Sequence, residues 1–146
     1  MSRIRLEFQY AAPPDRVFQW WTDLSGVGYV GRKLRSLTVV GKEGDRTLVR
    51  TKWKMMGMTK TIIERFSVLS PMRWRWEPRL FGIAIVDDFE LTESSNGRTT
   101  LAIVSEAKEN SLMGRVAQII MGRYLKRVMV EEWESADDAF RSEAGL

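Results

Sequence analysis

SLMGRVAQIIMGRYLKRVMVEEWESADDAFR, residues 111–141, is the stretch that decides the fold, because it predicts one long amphipathic helix. Apolar side chains recur there every three or four positions, which is the spacing of one helix face. They are Met113, Val116, Ala117, Ile120, Met121, Tyr124, Leu125, Val128, Met129, Trp133, Ala136 and Phe140. Such a face must be covered, and residues 38–107 read mostly as β-strands with one apolar side. The sequence therefore predicts an α+β fold in which a curved antiparallel sheet closes around the helix.

The other elements follow from breaks in the pattern. Residues 3–11 alternate apolar and polar side chains and predict a strand, which ends at Pro13-Pro14. Two short helices are expected within 14–31, although the glycines of 22–31 also suit a loop. Six strands are expected within 35–108, with a hairpin turn at 94–97, and the long helix within 111–142. The prediction is one domain, 1–146, with a seven-stranded sheet.

The composition excludes several kinds of chemistry. The chain has no Cys and no His, which removes disulfides, Cys or His nucleophiles, Ser-His-Asp triads and the usual zinc sites. We expect no metal and no cofactor. No apolar run has the length of a membrane span, and Arg3, Arg5 and Glu7 follow Met1 where a signal peptide would need an apolar core. We therefore expect a cytoplasmic protein without a transmembrane segment.

The charge is unevenly distributed along the chain. Residues 1–79 contain 16 Lys and Arg against 7 Asp and Glu, whereas residues 80–146 contain 7 against 12. This asymmetry would steer an anionic ligand, favour a homodimer, or be neutralised within the fold where the two halves intermingle.

Strand alternation assigns side chains to the face that the helix covers. The predicted inward set is mostly apolar and includes two carboxylates. It comprises Val49, Thr51, Trp53, Met55, Ile62, Glu64, Phe66, Val68, Met72, Trp74, Trp76, Ile83, Ile85, Asp87, Phe89, Leu91, Leu101, Ile103 and Ser105.

Three segments resemble the START-like or SRPBCC superfamily, which includes the birch-pollen-allergen fold, polyketide cyclases and dehydrases, and coenzyme-Q-binding proteins. They are Phe8-Gln-Tyr-Ala-Ala-Pro-Pro-Asp-Arg-Val-Phe-Gln-Trp-Trp-Thr-Asp23, Val68-Leu-Ser-Pro-Met-Arg-Trp-Arg-Trp76, and Phe89-Glu-Leu continuing to Asn96-Gly-Arg-Thr-Thr-Leu101. The resemblance covers essentially the whole chain and implies a helix-grip fold. It implies no catalytic residues, because this superfamily has no universal catalytic motif.

The first hypothesis for function is binding or transport of a small hydrophobic molecule, which the resemblance implies. The ligand would be a lipid, a polyketide, an isoprenoid quinone or an aromatic compound, held between sheet and helix. The tryptophans suit core packing and ligand contact equally well. The residues expected to line the pocket are Trp53, Phe66, Trp74, Trp76, Ile85, Phe89, Ile103, Val116, Ile120 and Tyr124.

The second hypothesis is an enzyme of the cyclase or dehydrase type. A carboxylate on an apolar inward face must be paired, neutralised or hydrated, so Glu64 and Asp87 are candidates for a general base. Arg123 or Tyr124 would polarise a carbonyl group. The alternatives are that the strand parity slips near Asp87, or that Arg123 simply pairs with one of the carboxylates.

The third hypothesis is a protein or nucleic-acid interaction module. The outward face of the predicted sheet is basic, and the acids between Glu131 and Asp138 lie at the unfavourable end of the helix dipole, where basic neighbours would stabilise them. The nucleic-acid signal is not strong, because single-strand binders interleave basic residues with exposed aromatics, whereas these tryptophans alternate away from the arginines. The outward basic residues are Arg50, Lys52, Lys54, Arg65, Arg73 and Arg75.

Overall fold

A computed structural model describes residues 3–25, 33–108 and 111–146. The described chain is α+β, with one long sheet, a short helix after the first strand and a 33-residue helix at the end. The elements are β1 Arg3–Tyr10, α1 Pro14–Trp21, β2 Leu34–Glu43, β3 Arg46–Met55, β4 Met58–Ser70, β5 Arg73–Glu77, β6 Arg79–Leu80, β7 Ile83–Glu93, β8 Thr99–Ala107 and α2 Leu112–Ala144.

The sheet is antiparallel and confirms the predicted helix-grip architecture. Its seven strands lie in the order β1-β8-β7-β5-β4-β3-β2, and the two-residue strand β6 pairs only with the start of β7. β1 and β2 therefore form the two edges although they are consecutive strands in the sequence. The predicted hairpin turn is present between β7 and β8, where the Ser94 amide donates to the Arg98 carbonyl at 2.8 Å.

The first short helix forms as predicted, whereas most of the stretch predicted to contain the second lies outside the described residues. Pro14 occupies the first turn of α1, where its missing N–H and fixed φ are tolerated. Val17 and Trp21 point into the core. Residues 22–25 form a turn rather than a helix, and residues 26–32 lie outside the described residues.

The long helix begins and ends where its capping residues predict. The Ser111 hydroxyl accepts a hydrogen bond from the Gly114 amide at 3.0 Å, and Gly145 ends the helix with φ of 72°. The far end is fixed to β1 by the buried Tyr10 hydroxyl, which donates to Asp137 at 2.7 Å. Arg141 Nε donates to the same carboxylate at 3.0 Å. One of the acids near the C-terminal end of the helix thus has the basic neighbour that the dipole argument favours.

The buried apolar side chains of α2 lie in its C-terminal part, and the first half contributes only the partly buried Ala117, Met121 and Tyr124 to the core, which corrects part of the prediction. The buried apolar side chains are Leu125, Val128, Met129, Ala136 and Phe140, whereas Val116 and Ile120 are 46% and 72% exposed. At about 100° per residue, Ile120 points about 140° away from Leu125 and Val116 about 180° away. The apolar side chains do recur every three or four positions, but they belong to two different faces of the helix.

The strand faces agree with the predicted alternation at nearly every position. All of the inward residues predicted on β3, β7 and β8 are buried, together with Glu64 and Phe66 on β4 and Trp74 and Trp76 on β5. Ile62 and Met72 are partly buried, and Val68 is the exception, because it is exposed. The pairing of β4 with β5 becomes irregular between Val68 and Ser70, so the simple two-residue alternation fails there.

Candidate functional site

A small cavity lies between the sheet and the C-terminal part of α2. Its volume is about 30 Å³, which is space for one or two water molecules. Pockets for drug-sized ligands measure roughly 300–1,000 Å³, so the resting cavity is far smaller than a ligand pocket of that kind. The residues around it are Leu34, Leu37, Thr51, Trp53, Glu64, Trp76, Glu132, Trp133 and Ala136.

Aromatic side chains occupy the space that a larger pocket would need. Phe89 stacks on Trp74 with ring centroids 5.2 Å apart, and Trp133 meets Phe89 edge-on at 5.0 Å. Trp21 reaches the same ring from α1 at 6.1 Å. Of the ten residues predicted to line the pocket, Trp53 and Trp76 do so. Phe66, Trp74, Ile85, Phe89 and Ile103 are buried in the core but do not line this cavity.

The three predicted contributions from the first half of α2 do not reach the cavity. Val116 and Ile120 are exposed. Tyr124 is half-buried and lies edge-on to Phe81, with ring centroids 6.2 Å apart. Its hydroxyl is buried and has no hydrogen-bond partner among the described residues. Arg123 is exposed and forms no ion pair within the described chain, so the alternative in which it pairs with Glu64 or Asp87 is wrong.

Glu64 is the predicted residue that gives the cavity its polar character. It lies near the middle of β4, is 4% exposed, and accepts hydrogen bonds from the Thr51 hydroxyl and from Trp53 Nε1 at 3.3 Å. Burial raises the pKa of Glu64 to about 7, although these two hydrogen bonds act to lower it. No lysine or arginine is among the groups that shift this pKa. The carboxyl group therefore changes protonation close to neutral pH.

Asp87 is a second buried carboxyl group, on β7. It is 1% exposed, and the Ser105 hydroxyl donates to it. Burial raises the pKa of Asp87, and the negative charges of Glu64 and Asp88 raise it further, to about 8. The hydrogen bond from Ser105 acts in the opposite direction and limits this rise. Asp88 points outward and pairs with Arg75 at 2.7 Å, so the strand parity does not slip at this point.

Glu132, which was not among the predicted site residues, closes one side of the cavity. Its carboxylate accepts hydrogen bonds from the backbone amides of Lys33 at 2.8 Å and Leu34 at 3.4 Å. Burial raises the pKa of Glu132, opposed by these two amides. The signal was present in the sequence, since Glu132 lies seven residues after Leu125 and four before Ala136 and so shares the buried face.

Trp133, also missed, is another of the residues that line the cavity. Its Nε1 is buried and has no acceptor among the described residues. The polar groups of the lining are therefore the carboxyl groups of Glu64 and Glu132 and the Thr51 hydroxyl, and the remaining lining residues are apolar or aromatic. No group of three Asp or Glu residues suited to a metal ion occurs in the described ranges. No described helix has the length and apolarity needed to cross a membrane.

The sequence matches the family model described as "Polyketide cyclase / dehydrase and lipid transport" over residues 1–140. The chain belongs to this family. The resemblance to the START-like superfamily, drawn from three short segments, is thus confirmed for nearly the whole chain. No curated protein matches the sequence closely enough to count as a relative.

Solved structures of the same fold include members with different described roles. A protein from Thermus thermophilus is 20% identical, with 96% of this chain and 94% of that chain covered and a TM-score of 0.73. The Zhui aromatase/cyclase from a Streptomyces species is 15% identical, with coverages of 95% and 93% and a TM-score of 0.70. A START superfamily protein from Mycobacterium smegmatis is 10% identical, with coverages of 98% and 97% and a TM-score of 0.73. At these identities the similarity establishes the fold, and function must be argued from the site.

Proposed function

We propose that this chain binds a small hydrophobic molecule in the cavity between the sheet and α2, with Glu64 as the contact for the ligand's polar group. The observation that carries the proposal is a buried carboxyl group with no cationic partner in the wall of an apolar cavity. Burying a carboxyl group in this way costs stability, and binding a ligand is a use that would offset this cost.

The protonation state of Glu64 defines the ligand chemistry. With a pKa of about 7, the group is present in both forms near neutral pH. The protonated form donates one hydrogen bond and accepts others, whereas the ionised form only accepts. With Trp133 Nε1 as a second donor, the site suits a carbonyl or hydroxyl group on an aromatic or isoprenoid body.

Ligand entry requires the cavity to widen. The contact that closes it joins Glu132 on α2 to the backbone of Lys33 and Leu34 at the start of β2. Leu34 and Glu132 both border the cavity. Separation of these two elements would enlarge the cavity without disturbing the paired strands of the sheet. We therefore propose the gap between β2 and α2 as the route of entry.

Native mass spectrometry of the protein purified from its own host tests the binding function. We expect a bound hydrophobic molecule, released on denaturation and identifiable by its mass. Ala136→Leu should reduce the bound fraction, because Ala136 lines the cavity and the longer side chain would occupy it. Ala144→Leu makes the same change on the same helix away from the cavity and serves as its control. Protein that is empty from the host and takes up no apolar probe would refute the proposal.

A second candidate function is acid–base catalysis of the cyclase or dehydrase type. The specific observation in its favour is that a carboxyl group in the cavity wall has a pKa of about 7. A general acid or base is most effective when its pKa is near the working pH. If the bound molecule is chemically changed by the wild-type protein, Glu64→Gln and Asp87→Asn should slow that conversion. Full turnover in both variants would leave binding as the function.

A further inference from the structure

The N-terminal part of α2 exposes large apolar side chains that the sheet does not cover. Ile119 is 85% exposed. Neighbouring side chains on the same two and a half turns are also exposed: Leu112, Met113, Val116 and Ile120. Soluble proteins expose single apolar side chains routinely, but a contiguous group of this size is characteristic of an interaction site.

The hairpin between β3 and β4 carries two more exposed methionines, Met56 and Met58, and the strand registers place this hairpin at the end of the sheet where β8 finishes before α2. Lys60, next to this hairpin, places its ammonium group 5.2 Å from the centre of the Phe81 ring, and Phe81 contacts Tyr124 of α2. The start of the helix is held nearby, because the Lys108 amide donates to the Ala84 carbonyl at 2.8 Å. We call the seven exposed residues Met56, Met58, Leu112, Met113, Val116, Ile119 and Ile120 the apolar end.

The two segments that form the apolar end carry only positive charge. Neither residues 46–63 nor residues 111–130 contain an Asp or a Glu. None of the basic residues within 111–130 forms an ion pair with another residue of the described chain. The cations of the two segments are Arg46, Arg50, Lys52, Lys54, Lys60, Arg115, Arg123, Lys126 and Arg127.

We propose that the apolar end docks on an anionic lipid surface. Exposed aliphatic and methionine side chains flanked by lysine and arginine are the combination that binds such a surface, where the apolar groups enter the headgroup region and the cations meet lipid phosphates. The charge also argues against a second copy as occupant, because two apolar ends would bring like charges together. This inference rests on residues outside the cavity and is independent of the proposed ligand.

Vesicle flotation of the full chain tests the proposal. The wild type should float with vesicles of phosphatidylcholine and phosphatidylglycerol in equal amounts, release as salt is raised, and stay behind with phosphatidylcholine alone. Ile119→Ser with Ile120→Ser should weaken binding strongly. Serine and isoleucine have similar helix propensities, so the helix itself is retained. The matched control is Val39→Ser with Val40→Ser, which removes two exposed aliphatic side chains from β2.

The electrostatic part has its own pair of variants. Arg115→Gln with Arg123→Gln should weaken binding roughly twenty-five-fold, since each cation near the surface contributes about a factor of five. Arg35→Gln with Lys42→Gln, two exposed cations on β2, should change it little. The proposal is overturned if anionic vesicles do not bind at low salt, or if test and control variants bind equally. It is equally overturned if the wild type is a dimer that the Ile119 and Ile120 substitutions dissociate, with no vesicle binding. The same variants are also tested for retention of the hydrophobic ligand in solution. Failure to bind vesicles while the ligand is retained overturns the docking proposal and leaves the cavity proposal intact.

Discussion

The buried carboxyl group of Glu64 makes the stability of the folded chain depend on pH in an unusual direction. Its pKa is about 7 in the folded chain, against 4.5 for an ordinary glutamate. Between these two values the folded state binds more protons than the unfolded state, so the free energy of unfolding falls as pH rises. The stability that Glu64 gains by binding a proton in the folded state is fully present below about pH 4.5 and is lost once the pH has passed about 7.

The size of this effect follows from the pKa difference. Each tenfold change in proton affinity is worth about 1.4 kcal/mol, so Glu64 destabilises the folded chain by roughly 3 kcal/mol above pH 7 relative to acid conditions. Glu64→Gln keeps an oxygen for the Thr51 and Trp53 hydrogen bonds and removes the charge. We expect this variant to lose about 2.5 kcal/mol less stability than the wild type between about pH 5 and pH 8, because part of the full effect falls below pH 5.

Urea unfolding followed by tryptophan fluorescence measures this difference at several pH values. The control is Glu90→Gln, which makes the same change at an exposed position of β7 and should follow the wild-type pH dependence. If Glu64→Gln and the wild type lose stability in parallel over this range, Glu64 is not a proton-binding group of the folded state. The acid–base candidate function would then lose its main support as well.

Three further variants test separate parts of the structure. The pKa of Asp87 is raised to about 8, so the folded chain should lose stability at this residue as pH rises from about 4 to 8, and Asp87→Asn should remove that loss. Urea unfolding at several pH values measures the loss, and a variant with the wild-type pH dependence would contradict the prediction. Tyr10→Phe should cost about 1–2 kcal/mol in thermal unfolding, since it removes the hydrogen bond to Asp137. Tyr124→Phe is its matched control, because that hydroxyl has no partner within the described chain, and equal losses in the two variants would refute the assignment. Ser111→Ala should cost about 1 kcal/mol by removing the N-terminal cap of α2, and helicity measured by circular dichroism at rising temperature would detect it.

The sequence by itself determined the strands, their faces and the two carboxyl groups of interest. Successive side chains of a strand point to opposite faces of the sheet. Once the apolar face of a strand is known, every side chain is assigned to a face until the strand pairing becomes irregular. For this reason Trp53, Glu64 and Asp87 were placed on the covered face, and the placement failed only near Val68, where β4 and β5 lose regular pairing.

Only the tertiary structure decided which part of α2 covers the sheet and how much space is left beneath it. The 33-residue helix α2 carries apolar side chains on more than one face. The spacing of these residues in the sequence does not show which part of the helix lies against the sheet. Ile120 was therefore assigned to the pocket although it faces outward, and Glu132 was overlooked although it closes the cavity. Cavity volume depends on how rings such as Trp74 and Phe89 pack against each other across distant segments, and that packing is fixed only when the whole chain has folded.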